Sequence, residues 1–273
     1  MKFETLGVTA DGPVTYVELA APPMNLLGPA MLRDLVAMLR QLEQDPRVQV
    51  LVFRSADPDY FIPHVDITRV PEYRDIAMQL DGEPSLALVF RHLSTSRLVS
   101  IAQVEGRVRG AGSELVLACD LRFAAVETAL FSQPEIGFGL VPGAGGMQHL
   151  TRLLGRGRAL EALLTGGDYD ATLAERYGWI NRALPAAELG EFVRALATRI
   201  AGFPAAARAL IKERVDAIAL GPADDFRRDS ELFVERSQAP ETQRRVRASL
   251  ERGLQTRAGE LDLARMLGEL PPG

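Results

Sequence analysis

The chain has 273 residues and lacks several features that mark common protein classes. Its single cysteine, Cys119, rules out an internal disulfide and fits a reducing cytoplasm. No apolar run approaches the roughly 18 residues that cross a membrane, and the first residues lack the apolar segment of a signal peptide. Excess basic charge is also missing, because the net charge is −5 and the pI is near 5.4. We therefore expect a cytoplasmic protein without a membrane or nucleic-acid partner.

Hydrophobic residues make up 47% of the chain, which is enough for a substantial core. The Asp11-Gly12 pair between two β-prone runs predicts a hairpin, and buried-strand patterns then alternate with helical ones. Later patterns are helical only and include one helix over 241–257. We predict a core over 1–200 and a C-terminal helical region over 201–273. The polar segment 67–84 is predicted to be a mobile surface segment.

The stretch 106–146 contains two glycine-rich turns and two glutamates, Glu114 and Glu135. Glu114 follows Gly-Ala-Gly-Ser, and Glu135 follows Ser-Gln-Pro. Glycines let a turn approach a ligand closely, and free N–H groups at a helix start favour negative charge. Two acids beside such a turn suit general acid–base catalysis next to a backbone oxyanion hole. The alternatives are a helix first-turn acid for Glu114 and a solvated loop acid for Glu135.

Several segments, in this order, resemble the crotonase (enoyl-CoA hydratase/isomerase) superfamily over about residues 1–215. The combination carries the resemblance, because no single segment is specific. The segments are Ala-Pro-Pro-Met-Asn-Leu-Leu at 21–27, the loop 61–66, the turn 106–114, Gln133-Pro134-Glu135 with Pro-Gly-Ala-Gly-Gly at 142–146, Arg-Leu-Leu-Gly at 152–155, Leu-Thr-Gly at 164–166, and Tyr-Gly-Trp-Ile-Asn at 177–181.

The resemblance implies an α/β fold, a crotonase-like (ClpP/crotonase) spiral of β-β-α units with a C-terminal helical trimerisation region. It implies a homotrimer or a hexamer (a dimer of trimers), and an acyl-CoA substrate that carries coenzyme A with it, without a separate cofactor. Family members stabilise a thioester enolate with two backbone N–H groups, and the matching positions here are Val65 and Ala111. Glu114 and Glu135 match the two glutamates of family hydratases, which convert a 2-enoyl-CoA to a 3-hydroxyacyl-CoA. Further substrate-binding positions are expected at Met24, Ile62, His64, Asp66, Gly110, Pro134 and Gly143.

The loop Ile62–Asp66 departs from the family pattern. It reads Ile-Pro-His-Val-Asp, where the family usually carries small residues before the aspartate. His64 replaces a glycine, so a narrower pocket is expected. Arg107 and Arg109 are also unusual. Isomerisation, decarboxylation and thioester hydrolysis therefore stay open beside hydration, as does a non-catalytic binding or assembly protein.

A metal site is not expected. His64 and Asp66 lie one residue apart, but His92 and His149 have no spacing that would complete a ligand set. We expect Asp66 to cap a following helix and His64 to line the mouth of a pocket or lie on the surface.

Overall fold

The computed structural model describes residues 2–270, and two β-sheets form its centre. The larger sheet has six strands in the order β1-β2-β3-β5-β7-β10. Strands β1 and β2 form the predicted antiparallel hairpin, and the remaining neighbours pair in parallel. The bounds are β1 Leu6–Asp11, β2 Val14–Leu19, β3 Val50–Ser55, β5 Val99–Val104, β7 Leu121–Ala125 and β10 Arg182–Leu184.

The smaller sheet has four strands in the order β4-β6-β8-β9, of which only β9 runs antiparallel to its neighbour. Three times the chain passes from a strand of the large sheet to a strand of the small one and then into helices. These β-β-α units confirm the predicted α/β spiral. The bounds are β4 Tyr60–Ile62, β6 Arg107–Arg109, β8 Leu130–Ser132 and β9 Tyr169–Asp170.

Helices cover both faces of the large sheet. Helix α1 begins at a proline, which suits a first helical turn, and it buries an apolar stripe at helical spacing. Helix α8 packs on the opposite face, which explains the nearly continuous apolar strands. The bounds are α1 Pro29–Gln44, α2 Glu72–Asp81, α3 Leu86–Thr95, α4 Ala111–Ala118, the 3-10 helix Pro134–Phe138, α5 Gly146–Leu154, α6 Arg156–Thr165, α7 Ala171–Tyr177 and α8 Ala186–Ala201.

The C-terminal helices return to the core. Helix α10 packs against α3, and helices α11 and α13 pack against the 3-10 helix. Helix α9 is different, since none of its residues is buried, although Lys212 on it donates to Asp120 at 2.9 Å. The bounds are α9 Ala205–Ala219, α10 Ala223–Ser237, α11 Pro240–Glu251, α12 Arg257–Glu260 and α13 Leu263–Gly268. The division at residue 200 remains a prediction.

Two local predictions were wrong, and one helix was missed. The segment 67–84, predicted to be a mobile surface segment, contains α2, which ends at Gly82 with a left-handed φ of 72°. The helix predicted over 241–257 is two helices, α11 and α12, separated at Gly253 with φ 98°. Asp66 accepts from the N–H and hydroxyl of Thr68 in a turn and caps no helix. No helix within residues 2–270 is long and apolar enough to span a membrane.

Candidate active site

The turn that starts α4 provides the first element of the site. Gly110 has a φ of 50°, which favours glycine. A Cβ on Gly112 would lie 2.2 Å from the carbonyl oxygen of Ile62, so α4 can pack on β4 only with glycine there. The Gly110 carbonyl accepts from the Glu114 N–H at 3.0 Å along the helix. Because the intervening peptide is planar and trans, the Ala111 N–H points the other way, out of the helix start.

The loop between β4 and α2 provides the second element. The Leu27 N–H donates to the His64 carbonyl at 2.9 Å, and the Asp66 N–H donates to the Leu27 carbonyl at 3.1 Å. This bridge fixes the His64–Val65 peptide and turns the Val65 N–H away from Leu27. Val65 and Ala111 line one cavity, and within the described part of the chain neither N–H donates a hydrogen bond. Two amide donors are therefore free to bind an oxygen there.

Glu114 lies on the first turn of α4 and is 2% exposed. Its Oε1 accepts from the N–H groups of Ala144 and Gly146, each at 2.8 Å. A Cβ on Gly146 would lie 3.1 Å from this oxygen and 2.2 Å from the side chain of Gln133. Burial raises the pKa of Glu114 to about 7, although the two N–H groups act in the opposite direction. The carboxyl can thus exist in either protonation state near neutral pH.

Glu135 lies on the 3-10 helix and is also buried. Its Oε2 has no hydrogen-bond partner among the described residues, and its Oε1 lies 3.0 Å from the position that a Cβ on Gly110 would occupy. Burial, and then the charge of Glu114, raises the pKa of Glu135 well above its ordinary value. Because like charges in one buried site repel each other, burial and the charge of Glu114 both favour the protonated form of Glu135.

The two amides and the two carboxyl groups line the same pocket. Eight residues predicted for the site line it, and the rest of the wall is mostly apolar. The predicted residues are His64, Val65, Gly110, Ala111, Glu114, Pro134, Glu135 and Gly143. The apolar wall includes Ile67, Val70, Tyr73, Leu86, Phe138, Leu140, Phe233, Val234 and Leu254.

Three predicted substrate-binding residues do not line this cavity. Met24 and Ile62 are fully buried, and Ile62 supports the start of α4 from behind. The carboxylate of Asp66 is held in its turn by Thr68 and by the side-chain amide of Gln255 at 3.1 Å. These three residues make packing or loop-shaping contacts in the structure, and their role in substrate binding stays a prediction.

Sequence reasoning missed a buried charge cluster behind the loop. Arg109 is fully buried and donates to both carboxylate oxygens of Asp168, at 2.8 and 2.6 Å. It also donates to the main-chain carbonyl of Glu260 at 2.7 Å, and the Glu260 carboxylate meets His64. The unusual arginine in the turn was the one visible signal, because its partners are far away in sequence.

A metal ion has no ready ligand set in the described residues. No group of three or more His, Cys, Asp or Glu side chains within 2–270 could hold one. The buried His149 packs against Phe226 with ring centroids 5.4 Å apart.

The profile of the family described as enoyl-CoA hydratase/isomerase matches residues 9–256. The chain belongs to this family. A probable enoyl-CoA hydratase of Mycobacterium tuberculosis is 34% identical over 217 residues, 79% of this chain and 82% of the relative. A probable enoyl-CoA hydratase of Rhizobium meliloti is 34% identical over 239 residues, which are 85% of this chain and 90% of the relative. The crystal structure of a candidate enoyl-CoA hydratase from Streptomyces avermitilis is 50% identical, with a TM-score of 0.97 over 100% of this chain and 99% of that one.

Proposed function

We propose that the protein adds water to the double bond of a 2-enoyl-CoA and forms a 3-hydroxyacyl-CoA. The observation that carries the proposal is the pairing of two free amides, Val65 and Ala111, with two buried carboxyl groups in one apolar cavity. The amides suit a thioester oxygen, and the carboxyl groups suit the transfer of two protons. The relatives named as enoyl-CoA hydratases support the same reaction.

The reaction needs one base and one acid. Glu114 suits the base, because two backbone N–H groups stabilise its carboxylate. Glu135 suits the acid, because its buried Oε2 lacks a donor and its pKa is raised well above the ordinary value by burial and by Glu114. Glu114 takes a proton from water as the water oxygen bonds to C3, and the electron pair of the double bond moves onto the thioester oxygen. As the enolate collapses, C2 takes the proton of the Glu135 carboxyl. The hydroxyl at C3 and the hydrogen at C2 together make up one water.

The two amides act mainly on the enolate. Negative charge on the thioester oxygen grows as C3 is attacked, and fixed donors at that position lower the barrier without having to reorganise. Removal of one such donor in a measured enzyme raises the barrier by roughly 3–4 kcal/mol. Coenzyme A enters as part of the substrate, and we propose no additional cofactor.

We also propose that copies of the chain assemble through α9, as a trimer or a dimer of trimers. The helix buries none of its residues, and four of its large apolar side chains are more than half exposed. They are Leu210, Ile211, Val215 and Ile218. An apolar face of this size is unusual on a monomer. Sedimentation velocity on the purified protein tests this assembly. We also propose that the protein acts in the cytoplasm.

The hydration proposal is tested by the loss of ultraviolet absorbance of a conjugated enoyl thioester. We expect turnover by the wild type and a loss of kcat of at least about 100-fold in Glu114→Gln and Glu135→Gln. Unchanged turnover in either variant would remove that residue from the mechanism. Mass spectrometry of the product distinguishes hydration, which adds one water, from isomerisation, decarboxylation and thioester hydrolysis.

A further inference from the structure

A buried histidine–glutamate contact joins the oxyanion loop to the C-terminal region. His64 Nε2 lies 2.8 Å from Oε1 of Glu260, the last residue of α12. His64 Nδ1 lies 2.6 Å from the carbonyl oxygen of Val65. His64 is 7% exposed and Glu260 is fully buried. Both ring nitrogens are therefore occupied, and neither is free to exchange a proton with a substrate.

The hydrogen-bond partners define the protonation of this pair. A carbonyl oxygen can only accept, so Nδ1 of His64 carries a proton. Glu260 Oε1 also accepts from the N–H of Gln255 at 3.0 Å, and Oε2 lies 3.8 Å from the guanidinium of Arg109. The hydrogen bond from Gln255 and the nearby positive charge of Arg109 favour the carboxylate form of Glu260, and Nε2 of His64 then acts as a donor too. This arrangement favours an imidazolium for His64 and a carboxylate for Glu260.

Charges from several elements surround the ring. Burial alone lowers the pKa of His64, but the charge and hydrogen bond of Glu260 outweigh it and raise the pKa. Arg109 on β6 opposes that rise, and its own charge is balanced by Asp168. Glu135 approaches from the 3-10 helix, since its Oε1 and the His64 Cβ both lie beside Gly110.

We propose that the His64–Glu260 pair is a positioning device through which α12 sets the orientation of the Val65 N–H. The ring holds the carbonyl of Val65, and Leu27 holds the carbonyl of His64, so both peptides that flank Val65 are fixed. Only the expected change in kcat rests on the proposed hydration; the positioning of the Val65 N–H does not. His64 and Glu260 are positioning residues, because they act on the reaction only through the orientation of the Val65 N–H.

The kinetic test removes the anchor with Glu260→Ala. We expect kcat for enoyl-CoA hydration to fall about 10- to 100-fold, because a small displacement of a transition-state donor has effects of this size. KM should change less than about threefold, since the donor acts mainly on the enolate. Glu260→Gln should lose less, because an amide still hydrogen-bonds a neutral ring. A kcat within about threefold of wild type in Glu260→Ala, or a loss confined to KM, would overturn the proposal.

The matched control is a second histidine–glutamate contact, between His92 and Glu43, with Nε2 and Oε2 3.0 Å apart. It joins α3 to α1, and neither residue lines the cavity. Glu43→Ala should leave kcat unchanged. An equal loss of kcat in Glu43→Ala and Glu260→Ala would show a general effect of losing such pairs and would contradict a specific role.

A readout independent of turnover is the NMR signal of the His64 ring in the full-length protein. We expect protons on both ring nitrogens at pH 7 in the wild type. In Glu260→Gln the ring should become neutral at a lower pH than in the wild type. Exchange of the Asp66 amide, which donates to Leu27 in this loop, should also become faster in Glu260→Gln. A neutral His64 ring in the wild type at pH 7, or an unchanged rate of amide exchange in Glu260→Gln, would overturn the proposal. Wild-type protein without turnover would refute the hydration proposal alone.

Discussion

The two halves of the proposed oxyanion site are held in different ways. The Ala111 half is the start of a helix, so hydrogen bonds along α4 and the backbone freedom of Gly110 define it. The Val65 half is a loop held by Tyr73, a few residues further along the chain, and by the distant Leu27 and Glu260. Local backbone geometry therefore builds one donor, and tertiary contacts build the other. The two halves should respond differently to substitution.

The largest effect is expected where the two halves touch. Gly112→Ala places a Cβ 2.2 Å from the Ile62 carbonyl and must push α4 away from β4. We expect about 3 kcal/mol lower free energy of unfolding and a large loss of kcat, measured by urea denaturation and enoyl-CoA turnover.

Gly157 in α6 is the matched control. A Cβ there meets nothing within 4 Å, so Gly157→Ala should be neutral or stabilising by up to about 1 kcal/mol. Equal stabilities of the two alanine variants would show that the close contact at Gly112 does not constrain the protein.

A smaller effect is expected in the loop half alone. Tyr73 accepts from the Asp66 N–H at 3.0 Å and donates to the Leu27 carbonyl at 2.5 Å. Tyr73→Phe leaves both main-chain groups without this partner, and we expect about 1–2 kcal/mol lower stability and a several-fold lower kcat.

The control for Tyr73→Phe is Tyr177→Phe. The Tyr177 hydroxyl bonds to Glu161 at an exposed position, and its loss should change stability by less than about 0.5 kcal/mol. If Tyr73→Phe lowers stability but leaves kcat unchanged, the loop does not need this anchor for catalysis.

The same contrast explains how much could be predicted from the sequence. Glycines and a helix-start glutamate leave a local pattern, so the Gly110–Glu114 turn was identified from the sequence. The β-β-α fold was expected from the resemblance to the family. The helix in 67–84 was missed because its polar composition hides the few residues, such as Tyr73, that it buries. The partners of His64 and Arg109 lie 196 and 59 positions away, and no local pattern connects them.

The smallest effect is the pH dependence of stability. The pKa of Glu114 is raised by burial to about 7, above its value in an unfolded chain. Stability from its protonated form is therefore complete below the unfolded pKa and is lost as pH rises through about 7. We expect the free energy of unfolding to fall by about 1 kcal/mol between pH 6 and pH 8.

Glu114→Gln is the control for this pH effect, because an amide does not titrate. Its unfolding free energy should vary less between pH 6 and pH 8 than that of the wild type. A wild type that grows more stable over this range would contradict the buried, protonated carboxyl.

The two free amides are the centre of the account, and a crystal structure with a bound acyl-CoA tests them most directly. We expect the thioester oxygen at about 2.7–3.1 Å from both the Val65 and the Ala111 nitrogen, with Glu114 on the side of C3 and Glu135 on the side of C2. A thioester oxygen bound away from either nitrogen, with the acyl chain still in the cavity, would contradict the proposed oxyanion hole.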